Sequence, residues 1–263
     1  YYKSIFELYA SWGVDFIKCD DIARELPKEE TELILLCDTL HSCKKSTVLS
    51  LSPGPALLEK AELYKQLSNM WRISVDFWDQ WDHLYDMFSK AEKWCTHAGA
   101  GHWPDADMLP IGPIRQVYDV NNRTRFTQDE QMTMLTLWSI LRSPLMIGGE
   151  LTKFDEFTMN LITNREILSM HANARCSHQV WRREINCIEH SLWIAVDAQG
   201  GYYAAIFNLG DHDSNVSIAL ADLEIYSEVD GIELWSKEHI CFKDELCLSI
   251  KSHGIKVYHF NIL

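Results

Sequence analysis

The chain has 263 residues, of which 47% are hydrophobic and 24% are charged, an ordinary composition for a soluble globular protein. Its formal net charge of -14 argues against a nucleic-acid or anionic-membrane partner, because both are bound through clustered Lys and Arg. No apolar stretch approaches the about 20 residues of a membrane span, and the eight cysteines lack the CxxC spacing of a zinc site.

The first part of the chain alternates amphipathic helices with short apolar segments. Hydrophobic spacing predicts helices over 1–12, 27–43, 57–69, 78–94 and 127–142. Between them it predicts strands over 14–18, 47–51, 70–74, 95–98 and 145–147. Thr127 and Glu130 form a capping box at the start of the last helix. This alternation is typical of a parallel sheet or barrel.

After about residue 174 the pattern changes to short alternating segments, typical of a small antiparallel β domain. The predicted strands cover 179–182, 192–196, 202–208, 215–219 and 255–260. We therefore predict two domains, 1–173 and 174–263. A closed (β/α)8 barrel needs eight strands in typically about 250 residues. The first domain therefore holds part of such a barrel or an open sheet.

Acidic residues recur where the predicted parallel strands end. Asp20 follows the first strand, Asp76 follows the third, and Asp107 lies in the loop after the fourth, close to Trp103. Barrel enzymes place their catalytic groups at these carboxyl ends. Glycosidic bond hydrolysis uses one carboxylate at the sugar carbon and a second to protonate the leaving oxygen. Carboxylates beside aromatic residues, without Gly-rich phosphate loops, therefore favour a glycosidase.

Four motifs carry a resemblance to a known family. They are WGVDFIKCD at 12–20, WRISVD at 71–76, GHWPDADML at 101–109, and LWSI at 137–140 with SPLM at 143–146. In order and spacing they resemble glycoside hydrolase family 27, the melibiase-type α-galactosidases and α-N-acetylgalactosaminidases. The resemblance covers nearly the whole chain. It implies an α/β fold, a partial (β/α)8 TIM-type barrel (about strands 4 to 8), followed by a small antiparallel β-sandwich domain.

The resemblance also implies the role of each matching residue. Asp20 matches the nucleophile that forms a covalent glycosyl-enzyme intermediate, and Asp76 matches the acid/base. The matching substrate-binding positions are Lys18, Ser52, Arg72, Trp103 and Asp107. The implied reaction is retaining hydrolysis of terminal α-D-galactosyl residues, with α-galactosides as partners and no cofactor or metal.

Ser52 keeps a second specificity open. At the matching position α-galactosidases carry Glu near the sugar 2-position, whereas α-N-acetylgalactosaminidases carry Ser to make room for the acetamide. A Ser removes both bulk and a charged acceptor, so an N-acetyl group could fit. An α-N-acetylgalactosaminidase that acts on α-N-acetylgalactosaminide sugars is therefore the alternative.

Simpler interpretations remain beside these. Taken alone, Asp20 and Asp76 could each cap the segment that follows, and Asp79 is interpreted as a solvated charge. A non-catalytic carbohydrate-binding protein is a second class of function. A metal-dependent hydrolase is a minor third, because no HxH or HExxH pattern supports it. Its ligands would be His97, His102, Asp105 and Asp107.

The motifs include no counterpart of the first three strands of the family barrel, which supply a Trp and paired acidic residues to the sugar 4- and 6-hydroxyls. We expect these 263 residues alone to show little or no hydrolytic activity. The family's Cys beside the nucleophile is not reproduced, since Asp20 is followed by Asp21 and Ile22. The chain therefore resembles a bacterial relative, expected in the cytoplasm or periplasm.

Overall fold

The computed structural model describes residues 1–22, 30–44 and 46–263. Its α-helices are α1 (Tyr2–Ser11), α2 (Glu30–Cys43), α3 (Ala61–Leu67), α4 (Trp81–Trp94), α5 (Gln128–Leu141), α6 (Glu156–Ile162) and α7 (Arg165–Asn173). Its strands are β1 (Phe16–Cys19), β2 (Val48–Leu51), β3 (Met70–Arg72), β4 (Trp103–Asp105), β5 (Ala174–Ile185), β6 (Ile188–Asp197), β7 (Tyr202–Asn208), β8 (Ser214–Ala219), β9 (Val229–Glu233), β10 (His239–Phe242), β11 (Glu245–Ile250) and β12 (Ile255–Ile262). Two compact units result, Tyr1–Phe77 with His97–Asp107 and Trp78–Thr96 with Met108–Leu263.

The first unit is built on a parallel sheet in the order β1-β2-β3-β4. Register is fixed by main-chain pairing that sets Lys18 opposite Ser50, Leu51 opposite Trp71, and Arg72 opposite Asp105. Because all four strands run the same way, their carboxyl ends share one edge of the sheet. The inner strands β2 and β3 are almost wholly buried, as expected of the central strands of a parallel sheet.

Two of the five predicted parallel strands differ from the structure. Residues 95–98 are not a strand: Cys95 caps α4 through its N–H to Ala91 O, and a 3₁₀ turn follows over Cys95–His97. The fourth strand begins only at Trp103. The predicted strand at 145–147 is reduced to one parallel bridge between Leu109 and Ile147. The predicted start of the second helix, at 27, lies outside the described residues.

The helical part of the second unit centres on α5, most of whose residues are buried. The predicted capping box is confirmed, because Thr127 Oγ1 accepts the Glu130 N–H while the Glu130 carboxylate accepts the Thr127 N–H.

The interpretation of Asp79 as a solvated charge is wrong. Asp79 is buried, forms a bidentate ion pair with Arg115, and also accepts the Arg125 N–H at 2.7 Å.

The β-sandwich of the second unit pairs a six-stranded antiparallel sheet, β10-β9-β12-β7-β6-β5, with the two-stranded sheet β11-β8. Its core is aliphatic and aromatic, with Leu192, Ile206, Val229 and Phe260 all at most 1% exposed. Four parallel strands followed by this antiparallel sandwich is the fold class that the resemblance predicts. Helix α7 ends where β5 begins, and the predicted domain boundary at this point stays a prediction.

One imidazole links several elements of the second unit. His253 lies 2.8 Å from the Glu130 carboxylate through Nδ1 and 3.0 Å from the Asp211 carboxylate through Nε2. Its ring stacks on Trp81, with the ring centroids 3.6 Å apart. Each ring nitrogen therefore faces a carboxylate oxygen. Helices α4 and α5 are thereby tied to the loops of the sandwich.

None of the helices in the part of the chain that the structure describes is long and apolar enough to cross a membrane.

We expect the protein to lose stability as the pH falls from about 7 to 5, because buried histidines must take up protons on acidification. Burial lowers the pKa of His190, whose ring contacts Ser214 Oγ at 2.8 Å, and also the pKa of His171. A lowered pKa in the folded state contributes stability above the unfolded value of about 6.5 and loses it below. Thermal unfolding at both pH values measures the effect, at about 2–4 °C for each kcal/mol lost.

The matched variants are His190→Asn and His41→Asn, the second at an exposed position of α2. His190→Asn should reduce the difference in Tm between pH 7 and pH 5, while His41→Asn leaves it unchanged. Equal differences in both variants would contradict the assignment to His190.

Candidate functional site

A cleft of about 530 Å³ opens at the carboxyl edge of the parallel sheet. We name it the strand-end cleft. It is lined by Lys18, Asp20, Asp21, Ser52, Pro53, Gly54, Arg72, Val75 and Asp76. Its volume lies within the range of about 300–1,000 Å³ that is usual for small-molecule sites. The structure therefore brings five of the seven sequence-predicted site residues to one cavity.

Strand β1 supplies the first pair of charged groups. Lys18 and Asp20 are two residues apart, so their side chains point to the same side of the extended chain, and both are exposed. Between them the Cys19 carbonyl accepts the Ser52 N–H at 2.9 Å. This bond joins the ends of β1 and β2, and it sets the Asp20 segment beside the loop that follows β2.

That loop forms the second part of the cleft and is held tightly. Ser52 is only 3% exposed, and the Ala56 N–H donates to the Arg72 carbonyl at 2.8 Å. A Cβ at Gly54 would lie 2.3 Å from the Ser74 carbonyl oxygen and 2.5 Å from that of Arg72. Only glycine permits this approach of backbone to backbone.

Arg72 connects the carboxylates that follow β3 and β4. Its side chain is 2% exposed, and Nη2 lies 2.7 Å from Asp107 Oδ2 and 3.4 Å from Asp76 Oδ1. The side chain of Asp76 is 73% exposed, so its carboxyl group is open to a ligand. Asp107, by contrast, is 10% exposed and does not line the strand-end cleft. Its Oδ2 also accepts the Phe77 N–H at 2.8 Å.

Asp105 ends β4 and is almost completely buried, at 4% exposure. Its Oδ1 accepts the Asp107 N–H at 2.8 Å, the loop hydrogen bond that an Asp two residues upstream commonly makes. Burial raises the pKa of the Asp105 carboxyl, and the nearby Asp107 charge adds to this, whereas the Asp107 N–H, Arg72 and Lys18 act in the opposite direction. A perturbed carboxyl at this position is not recognisable from sequence alone, because burial depends on the fold.

Trp103 lies elsewhere. It is the first residue of β4, pairs with Met70, and donates its N–H to the Asn69 carbonyl at 2.8 Å. It thus lies at the amino end of the strand, whereas the cleft opens at the carboxyl end, and Trp103 is not among the lining residues. Its predicted place on the pocket wall stays a prediction. Val75, beside Asp76 and 59% exposed, supplies an apolar surface that sequence reasoning missed.

The proposed metal ligands do not assemble into a centre. Among residues 1–22, 30–44 and 46–263, no group of three or more His, Cys, Asp or Glu side chains could hold a metal ion. Asp105 and Asp107 instead engage the backbone and Arg72.

Comparison with known proteins gives the site its context. Residues 1–173 match the family model described as alpha galactosidase A. Residues 188–260 match the model for the alpha galactosidase C-terminal beta sandwich domain. The two matches follow the partial barrel and the sandwich described above.

Three relatives show the range of similarity. A β-L-arabinopyranosidase of family 27 from Geobacillus stearothermophilus is 45% identical, with a TM-score of 0.92 over 99% of this chain and 61% of that chain. A candidate α-N-acetylgalactosaminidase from Bacillus halodurans is 38% identical, with a TM-score of 0.83 over 100% of this chain and 62% of that one. Alpha-galactosidase 2 of Arabidopsis thaliana is 22% identical over 253 residues, 95% of this chain. The chain spans 61% of the length of that plant protein.

Replacement of Gly54 by Ala should distort the strand-end cleft, because backbone carbonyls cannot move aside for the new methyl group. Overpacking of this kind costs about 1–3 kcal/mol, which lowers the Tm by about 2–4 °C for each kcal/mol. Thermal unfolding of Gly54→Ala measures the loss.

Gly210→Ala is the control. Its nearest contact would be the Ile188 side-chain Cγ2, which can shift. We expect a smaller fall in Tm for Gly210→Ala. An equal or smaller fall in Tm for Gly54→Ala would show that the loop accommodates the added methyl group without distortion of the cleft.

Proposed function

The chain belongs to the α-galactosidase family, glycoside hydrolase family 27, and on that premise we propose that the strand-end cleft is the catalytic site of a retaining exo-glycosidase for terminal α-D-galactosyl residues. One observation supports this most strongly: the exposed carboxylates of Asp20 and Asp76 line the same cleft. Because the chain spans about 61% of its relatives' length, the activity is proposed for the complete gene product that contains it.

The proposed reaction has two steps. In the first, the Asp20 carboxylate attacks the anomeric carbon while the protonated Asp76 gives its proton to the leaving glycosidic oxygen, so that one C–O bond forms as the other breaks. In the second, the Asp76 carboxylate removes a proton from water, and the water oxygen displaces Asp20 from the sugar. The free sugar keeps its anomeric configuration, and both carboxyl groups return to their starting forms.

The cationic groups of the cleft suit a neutral, hydroxylated ligand. Lys18 projects from the same side of β1 as Asp20, and its ammonium group can donate to a sugar hydroxyl. Arg72 lines the cleft, and its guanidinium lies 3.4 Å from Asp76 Oδ1. Asp107 is the partner of Arg72, and we propose that it acts through that residue rather than by binding sugar.

Two narrower substrates have specific support. A β-L-arabinopyranoside has the ring stereochemistry of an α-D-galactopyranoside without the exocyclic hydroxymethyl group, and the Geobacillus relative at 45% identity is named for it. An α-N-acetylgalactosaminide is favoured by Ser52, whose small side chain lines the cleft. Hydrolysis of the three aryl glycosides by the complete gene product, compared as kcat/KM, decides among them. Activity on none of the three would contradict the proposed function.

We expect Asp20→Asn to lower kcat by about 10⁴-fold or more, the scale seen when a hydrolase loses its nucleophile. The amide keeps the shape of the carboxylate but cannot form the glycosyl ester. Initial rates on the best of the three substrates measure the loss, and NMR of the first-formed sugar checks that its anomeric configuration is retained.

Asp21→Asn is the matched control, because Asp21 lines the same cleft and has φ 59°, a conformation that Asn also tolerates. It should stay within about threefold of the unaltered protein, since a reacting carboxylate is not removed. Inversion of configuration, or a larger loss in Asp21→Asn than in Asp20→Asn, would rule out Asp20 as nucleophile.

A further inference from the structure

The last residue of β4 and the turn that follows it supply two aspartates with different surroundings, Asp105 and Asp107. Asp107 adopts φ 84°, in the left-handed region that residues other than glycine enter at a cost of about 1–3 kcal/mol. The Asp105 carboxylate accepts the Asp107 N–H at 2.8 Å and so supports this conformation. Asp105 itself is held within the sheet, since its carbonyl accepts the Ile73 N–H at 3.0 Å.

This conformation directs the Asp107 carboxylate toward the segment that carries Asp76. Oδ2 contacts Arg72 Nη2 at 2.7 Å and the Phe77 N–H at 2.8 Å. Arg72 precedes Asp76 by four residues, and the Phe77 N–H belongs to the peptide bond immediately after it. One carboxylate oxygen therefore holds both sides of the segment, and Arg72 also reaches Asp76 Oδ1 at 3.4 Å.

We propose that Asp105 is a positioning residue: through the turn to Asp107 it fixes Arg72 and the Phe77 peptide, and thereby sets the place of the Asp76 carboxyl group. This inference rests on the proposed function, in which Asp76 is the acid/base. Asp105 does not line the strand-end cleft. Its effect on the reaction passes through Asp107.

The chemistry of Asp105 suggests a conservative replacement. Burial raises the pKa of its carboxyl. Asn has the same shape, and its side-chain oxygen can still accept the Asp107 N–H. Leu has a similar length but no acceptor, so it leaves the Asp107 turn unsupported. Comparison of Asp105→Asn with Asp105→Leu therefore distinguishes the effect of the hydrogen bond from the effect of filling the same volume.

Substrates with different leaving groups distinguish a misplaced Asp76 from a general loss of structure in the variant. A dinitrophenyl glycoside needs little protonation of its leaving group, whereas an alkyl glycoside depends on it, and general acid catalysis contributes about 10²–10⁴-fold. In the complete gene product we expect Asp105→Leu to lower kcat/KM, which reports the first step alone, by about 100-fold on the alkyl glycoside and by less than about fivefold on the dinitrophenyl glycoside, where acid assistance matters little. Asp105→Asn should remain near the unaltered protein on both.

Asp119→Leu is the matched control. Asp119 makes the same type of turn, accepting the Asn121 N–H at 2.9 Å, but in an exposed loop. It should leave both rates unchanged. A loss in Asp105→Leu that is equal for the two leaving groups, or a loss in Asp105→Asn as large as in Asp105→Leu, would overturn the proposal.

Crystal structures of the two variants give a readout that is independent of the reaction. In Asp105→Leu we expect the contact between Arg72 and Asp107 to open beyond 4 Å, and in Asp105→Asn to stay near 2.7 Å. An unchanged contact in Asp105→Leu would overturn the inference even if the enzyme is active. Absence of glycosidase activity in the unaltered protein, with the contact opening as expected, would count against the proposed function instead.

Discussion

Main-chain pairing of four parallel strands is the constraint on which the strand-end cleft depends. Residues that are far apart in sequence, such as Lys18 and Asp76, share the cleft only because β1 to β4 run in one direction and end at one edge. The pairing of Arg72 with Asp105 then sets the turn after β4 against the segment after β3. A shift of one residue in this register would point every side chain of the strand to the opposite face.

The buried ion pair between Arg72 and Asp107 is the second layer of this arrangement. Charges removed from water are costly unless they are paired and further hydrogen-bonded. Asp107 meets that condition through the Phe77 N–H. The Arg72 Nε is itself buried and has no hydrogen-bond partner among the residues that the structure describes. The position of this ion pair depends on the turn that carries Asp107, and Asp105 supports that turn.

Much of the fold could be predicted from the sequence. Strand β7 and the capping box of α5 were recognisable because hydrophobic period and cap chemistry are local properties. The fold class and the family were predictable from four motifs in order. Strand β9 was not, because Asp230 and Gly231 interrupt its apolar pattern; Gly231 is needed where the His259 carbonyl approaches closely. The motif around Trp103 gives proximity in sequence but does not say at which end of the strand this residue lies.

The close contact of Gly54 with the carbonyls of Ser74 and Arg72 has an evolutionary consequence. A loop whose backbone rests directly on a neighbouring strand cannot be lengthened, shortened or rebuilt without moving that strand as well. Divergence at this corner is therefore limited to side chains that line the cleft, such as that of Ser52. Changes of ligand preference there should arise by single substitutions, while the course of the main chain is inherited almost unaltered.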